Sequence, residues 1–256
     1  IWTYDISGDG WQDVIVIDFP GVPCHWFENP QGKPGPWNKY EIWHSAAGES
    51  PQFQDITGDG KPELIFTSEP EQMMGYLEIP SPAEAKKKWN YTQVSGEKLG
   101  PQLAHRYYHG LGIGDVNRDG KLDIYMCCYS FFQSEAQFKY PSPYFDAQNG
   151  PPNFLFRNQL NPDGSGHFED VTATAGLNEN NNRYSFAPAW CDYDNSGFPS
   201  LYVANDFGRN NLYKNEAGKF RDVAAQAGVE DMGPGMSACW FDENHDGRPD
   251  LYVANM

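Results

Sequence analysis

The chain has 256 residues, 39% of them hydrophobic, with 26 Gly and 20 Pro: enough apolar side chains for a core, cut into many short elements by turn residues. The 35 Asp and Glu against 18 Lys and Arg leave a net charge of −17, which argues against a nucleic-acid partner, because phosphate binding needs a basic footprint. No apolar run approaches the roughly 20 residues that cross a bilayer as a helix, so no membrane span is expected.

In chain order, Ile1–Tyr4 occupies the place of a first strand. The nine residues Asp5–Asp13 form an acidic loop, followed by the β-prone run Val14–Ile17. The same succession recurs four times: Asp55–Glu63 before Leu64–Thr67, Asp115–Asp123 before Ile124–Met126, Asp192–Ser200 before Leu201–Ala204, and Asp242–Asp250 before Leu251–Ala254. The intervening residues repeat as well. Asn153-Phe-Leu-Phe-Arg-Asn158 returns as Asn210-Asn-Leu-Tyr-Lys-Asn215, Phe168-Glu-Asp-Val171 as Phe220-Arg-Asp-Val223, and Ala175-Gly-Leu177 as Ala227-Gly-Val229; Trp37-Asn38 is echoed by Trp89-Asn90. One unit thus reads strand, acidic loop, strand, turn, strand, turn, strand, and four strands in about 50 residues is a propeller blade. The expectation is a single all-β propeller domain over 1–256, with repeats near 1–50, 51–110, 111–185, 186–236 and an incomplete 237–256.

Two insertions interrupt the rhythm. Residues 80–106 carry Lys86, Lys87 and Lys88, which read as a solvated face. Residues 127–152 are rich in aromatics and proline, among them Tyr129, Phe131, Phe132, Tyr140, Tyr144 and Phe145, and serve either as rim packing or as a binding surface.

The loops carry the chemistry. Position 1 is Asp5, Asp55, Asp115, Asp192 and Asp242; position 3 is Ser7, Thr57, Asn117, Asp194 and Asn244; position 5 is Asp9, Asp59, Asp119, Ser196 and Asp246; position 9 is Asp13, Glu63, Asp123, Ser200 and Asp250. Side-chain oxygens at these positions converge on one point, and hard oxygen ligands in that number suit calcium. Position 6 is Gly in all five, for a backbone conformation that other residues resist. Position 7 (Trp11, Lys61, Lys121, Phe198, Arg248) would contribute its carbonyl, which leaves its side chain free to vary. Up to five calcium ions are expected, each cancelling two of the 17 surplus negative charges. Loop four is the weakest site, with only two carboxylates where each other loop has three. An EF-hand needs helices and a bidentate Glu at position 12, where this chain has Val16, Phe66, Met126, Val203 and Val253 in strand-like runs. Ordinary Asp-Gly turns do not explain five loops of matched spacing with matched strands after them.

The loops resemble the FG-GAP/VCBS repeats of integrin-α-type propellers and of many secreted bacterial proteins. The later half is similar to the repeats of the cartilage acidic protein family and its bacterial ASPIC/UnbV-associated relatives. The resemblance covers nearly the whole chain outside the insertions, and implies a calcium-stabilised propeller located extracellularly, at the cell surface or in the periplasm. Counting units, about four and a half blades are present. The expectation is a segment of a propeller of roughly six to eight blades, or a copy that self-assembles through open propeller edges.

No catalytic residues emerge. The six histidines are dispersed, His105-Arg-Tyr-Tyr-His109 lacks the Glu of a zinc-protease helix, and there is neither a Gly-x-Ser-x-Gly elbow nor a phosphate loop. Five cysteines without CxxC spacing favour buried free thiols over disulfides or zinc. Asn90-Tyr-Thr92 fits an N-glycosylation acceptor in a host with that machinery. Two functional readings stand: a non-catalytic adhesion or scaffold module that binds a protein or glycan partner, and a calcium-dependent carbohydrate-active enzyme.

Overall fold

The computed structural model describes residues 1–69, 71, 73–95, 106–131, 140–161 and 163–256. The chain divides into two compact units, Ile1–Lys98 and Leu99–Met256.

The first unit holds two four-stranded antiparallel sheets, each a simple meander. One runs β1 (Trp2–Tyr4), β2 (Asp13–Val16), β3 (Cys24–Glu28) and β4 (Asn38–Trp43); the next runs β5 (Ala46–Gln54), β6 (Glu63–Ser68), β7 (Met73–Leu77) and β8 (Tyr91–Gln93). The second unit holds two more: β9 (Arg106–Gly114), β10 (Asp123–Phe131), β11 (Phe154–Asn158) and β12 (Phe168–Asp170), then β13 (Tyr184–Cys191), β14 (Ser200–Phe207), β15 (Asn211–Glu216) and β16 (Lys219–Asp222). It ends in a two-stranded sheet of β17 (Gly235–Phe241) and β18 (Asp250–Asn255). The expected succession of strand, acidic loop and three further strands is therefore present four times, and position 12 of every acidic loop lies in a strand rather than a helix.

Burial explains the composition of the strands. All six residues of β6 and seven of the eight of β14 are buried, which is why both read as near-continuous apolar runs rather than as alternation. β4 and β8 are partly solvated and carry Lys, Glu and Gln. In the first unit Trp26, Ile15, Ile42, Leu64, Phe66 and Trp89 share one core. In the second unit Tyr125, Leu155, Leu201, Val203 and Tyr213 form another, and Tyr202, Leu212 and Val223 pack with Trp240 of β17. β13 lies against both β9 and β17, so the first strands of three successive sheets stand side by side. The approach is close: a Cβ on Gly112 would lie 2.8 Å from Trp190 Nε1 and 3.1 Å from Pro188 Cγ.

Several details depart from the sequence reading. The repeated Ala-Gly steps prove to be the ends of single helical turns, α1 (Thr172–Ala175) and α2 (Ala224–Ala227), each closed by a left-handed glycine, Gly176 at φ 90° and Gly228 at φ 72°. Residues 127–131 belong to β10, not to an insertion, while Phe132 lies outside the described residues. The lysines at 86–88 are exposed but paired, Lys86 with Glu28 at 2.8 Å, Lys87 with Glu84 at 2.5 Å and Lys88 with Glu41 at 2.7 Å. The segment that carries them enters the core through Ala85, whose carbonyl accepts both the Trp26 and Trp89 indole N–H groups. All five cysteines are free thiols; Cys24, Cys127 and Cys128 are buried, but Cys239 is exposed. Burial pushes the Cys24 thiol up to about 11, which leaves it inert. His105 lies outside the described residues. His109 stacks on Phe186 at 4.3 Å.

Candidate metal centres

Each acidic loop joins the first and second strands of its sheet, so all five occupy equivalent places. Position 6 adopts φ between 82° and 89° in every loop, at Gly10, Gly60, Gly120, Gly197 and Gly247. Position 4 is also left-handed, and there Arg118, Asn195 and His245 take φ of 61°, 55° and 60°. At Gly10 a Cβ would meet nothing within 4 Å, so Gly10→Ala isolates the backbone term. The expected loss is about 1–2 kcal/mol, read as a lower urea midpoint at an unchanged slope.

The side chains then sort by position. The position 1 carboxylate folds back over the loop. Asp5 accepts the N–H groups of Asp9 (3.1 Å) and Gly10 (2.9 Å), Asp115 those of Asp119 and Gly120, and Asp242 those of Asp246 and Gly247. Asp55 does the same for Gly58 and Gly60. Position 5 accepts the N–H of position 7: Asp9 from Trp11, Asp59 from Lys61, Asp119 from Lys121 and Asp246 from Arg248, all at 2.8–3.0 Å. In loop one Gln31 also donates to Asp9 and holds its carboxyl below the usual range. Among position 3 residues, Thr57 donates to Glu63, and Asn117 donates to Asp119.

Position 9 is the buried anchor. Asp13 and Asp123 are 0% exposed and Glu63 is 2% exposed. Asp13 accepts from the N–H groups of Ile6, Ser7 and Asn29, Asp123 from Val116 and Asn158, and Glu63 from Ile56 and Thr57. These bonds clamp the start of the loop to its end. Asp250 accepts from Glu243 in the same way but is only half-buried. Burial, and to a smaller extent the neighbouring loop carboxylates, push Glu63 up to about 7 and Asp123 up to about 6: each is an acid taken out of water beside two like charges.

Three asparagines complete these anchors. Asn29, Asn158 and Asn215 each stand at or beside the end of the third strand of a sheet, and each side chain donates to the carbonyl of position 8 in its own loop: Gln12, Leu122 and Pro199. Asn215 reaches further and donates to Val116 of loop three at 2.8 Å, while the Arg118 guanidinium of loop three lies 5.9 Å from the Phe198 ring centre of loop four. Loops three and four are thus neighbours. The sequence carried this signal in the repeated terminal Asn of Asn153–Asn158 and Asn210–Asn215.

The donor set is all oxygen, from carboxylate, hydroxyl, amide and carbonyl groups, which fits a hard divalent cation. Among the described residues only loop two brings three carboxylates together, with one oxygen each of Asp55, Asp59 and Glu63 within 4.8 Å of one another. Loop four differs. Ser200, 0% exposed, replaces the anchoring carboxylate and accepts from Asn215 N–H at 3.0 Å. Asp192 accepts from Gly197, and Asp194 pairs with Lys214 at 2.9 Å, which holds its carboxyl below the usual range.

Successive antiparallel meanders with one aspartate loop in the same place of each sheet define an all-β repeat protein. The profile of the FG-GAP-like repeat matches residues 5–66 and 192–253, so these two segments carry FG-GAP-like repeats, and the spacing of the other loops repeats theirs. Among solved structures, the crystal structure of the V. cholerae biofilm matrix protein Bap1 is similar at a TM-score of 0.44 and 15% identity, over 98% of this chain and 33% of that one. The chain therefore spans about a third of that structure's length. No curated protein matches the chain. No helix among the described residues is long and apolar enough to cross a membrane.

Proposed function

We propose that the chain is a calcium-stabilised binding module of the extracellular space, an adhesion or scaffold element whose four-stranded sheets are the blades of a β-propeller. The observation that carries this reading is the fivefold recurrence of an oxygen-lined loop with the same left-handed glycine at position 6. Calcium would be held by positions 1, 3, 5 and 9 and the position 7 carbonyl. The bound ion would neutralise carboxylates that repel one another in its absence, coupling metal binding to folding. Affinities of about 10⁻⁴–10⁻³ M are typical of extracellular calcium modules and are the range expected of these loops in the location proposed here. The adjacency of β9, β13 and β17 in the second unit supports the blade arrangement, because first strands line the axis of a propeller.

Binding is assigned to the end of the second unit opposite loops three and four. β10 and β14 start at those loops, and Tyr129 and Phe207 stand at their far ends; Tyr184 begins β13 at the same end. Tyr129, Tyr184, Phe207, Tyr144 and Phe145 form a continuous series of ring contacts at 5.0–5.9 Å. Tyr144 and Phe145 are 58% and 70% exposed, and their segment is fixed by Asp146, which pairs with Arg183 at 2.7 Å and Arg209 at 3.3 Å. Exposed rings on a fixed segment offer stacking area at little entropic cost. A glycan array run beside a polysaccharide-depolymerisation assay tests the reading. The expected result is retention without depolymerisation, weakened at least about tenfold by Tyr144→Ala with Phe145→Ala. Cleavage of the polysaccharide would instead make the chain an enzyme.

A further inference from the structure

We infer that loop four is a cation site whose cation is part of the chain: the Lys214 ammonium takes the position 3 carboxylate that an ion in this loop would need, so this loop is closed to metal. The contrast rests on the calcium reading above; the geometry does not. Lys214 lies on β15 of the same sheet, and its Nζ is 2.9 Å from Asp194 Oδ2, with the two side chains 31% and 21% exposed. Position 3 is a carboxylate only in this loop, where the other four have Ser7, Thr57, Asn117 and Asn244. Among the described residues no other loop carboxylate forms an ion pair with Lys or Arg.

The remaining acceptors of the loop are also served from within. Ser196, at position 5, has its hydroxyl 3.4 Å from Asp192 Oδ1 and 3.5 Å from the Phe198 carbonyl, the two oxygens that would face an ion, and it accepts from Phe198 N–H at 3.3 Å. With Arg118 over the Phe198 ring, two carboxylates stand beside two fixed cations. A divalent ion arriving there would meet two carboxylates whose charge is already balanced, so it would gain no net attraction to offset the loss of its water.

The test has one arm without metal and one with it. In EGTA, Lys214→Met, which keeps most of the stem, is expected to lower Tm by about 2–4 °C. Lys214→Arg should restore it, and Asp194→Asn with Lys214→Met should lose less than the sum of the single changes. In calcium, equilibrium dialysis should give the same stoichiometry for the native chain and for Asp192→Asn with Asp194→Asn. An unchanged Tm for Lys214→Met in EGTA overturns the inference, as does the loss of one calcium in the double asparagine variant. A native chain that binds no calcium at all removes the calcium reading, and the EGTA arm then decides this one by itself.

Discussion

Chelation with EGTA is expected to lower the thermal midpoint of the native chain by roughly 10 °C or more. The physical reason is mass action: a ligand that binds only the folded state stabilises it by RT ln(1 + [L]/Kd), about 1.4 kcal/mol per site at ten times Kd. Loops one and two sit in the first unit, and loops three and five in the second. Two sites contribute about 3 kcal/mol to each unit, and a domain of this size moves by about 4 °C per kcal/mol. Readdition of calcium should restore the midpoint, and magnesium should do so poorly, because it demands a tighter octahedral shell than a nine-residue loop of mixed oxygens supplies. Scanning calorimetry in millimolar calcium, in EGTA and after readdition checks this. A midpoint indifferent to all three conditions would remove the structural role of the ion.

Asp13→Ala is the single substitution with the largest expected effect, a loss of about 3–5 kcal/mol. Asp13 is fully buried and accepts three backbone N–H groups, those of Ile6 (3.0 Å), Ser7 (2.9 Å) and Asn29 (2.8 Å). Its removal leaves the buried Ile6 N–H and the part-buried Ser7 and Asn29 N–H groups without their acceptor, at about 1–3 kcal/mol each, some of it recovered by water and relaxation. Asp9→Ala is the informative control, because Asp9 is exposed and its roles are the turn at Trp11, an exposed bond from Gln31 and the proposed ligand. Urea unfolding should show the Asp13→Ala loss with and without calcium, and the Asp9→Ala loss chiefly in calcium. Equal, calcium-dependent losses for both would mean that position 9 is only a ligand and not an anchor.

Much of this fold was legible because its signals are local. The Asp-x-x-x-Asp-Gly spacing fixes a loop, the left-handed glycine is demanded within that loop, and apolar runs such as Leu201–Ala204 mark where the strands after it begin. What was not legible depends on distant partners. The Lys214–Asp194 pair joins a loop residue to a strand 20 positions on, and Asn215 finds Val116 across 99 residues; neither pairing is encoded in the local spacing. The one-turn helices were missed because Ala-Gly reads equally well as a turn between strands, and only the i→i−4 bonds from Ala175 N–H to the Val171 carbonyl and from Ala227 N–H to the Val223 carbonyl separate the two. Residues 127–131 were assigned to an insertion on their aromatic content, yet pairing with β9 extends β10 through them, with register shifts at Cys128 and Ser130. The dual use of position 9, as candidate ligand and as a backbone clamp, was hidden because an aspartate serves both with the same two oxygens.

The most direct test of the account is a crystal structure grown in millimolar calcium and measured for anomalous scattering at long wavelength. The account predicts peaks inside loops one, two, three and five, each between its position 1, 5 and 9 carboxylates, and none at loop four beside Lys214. Density for water alone in loops one, two, three and five would contradict it.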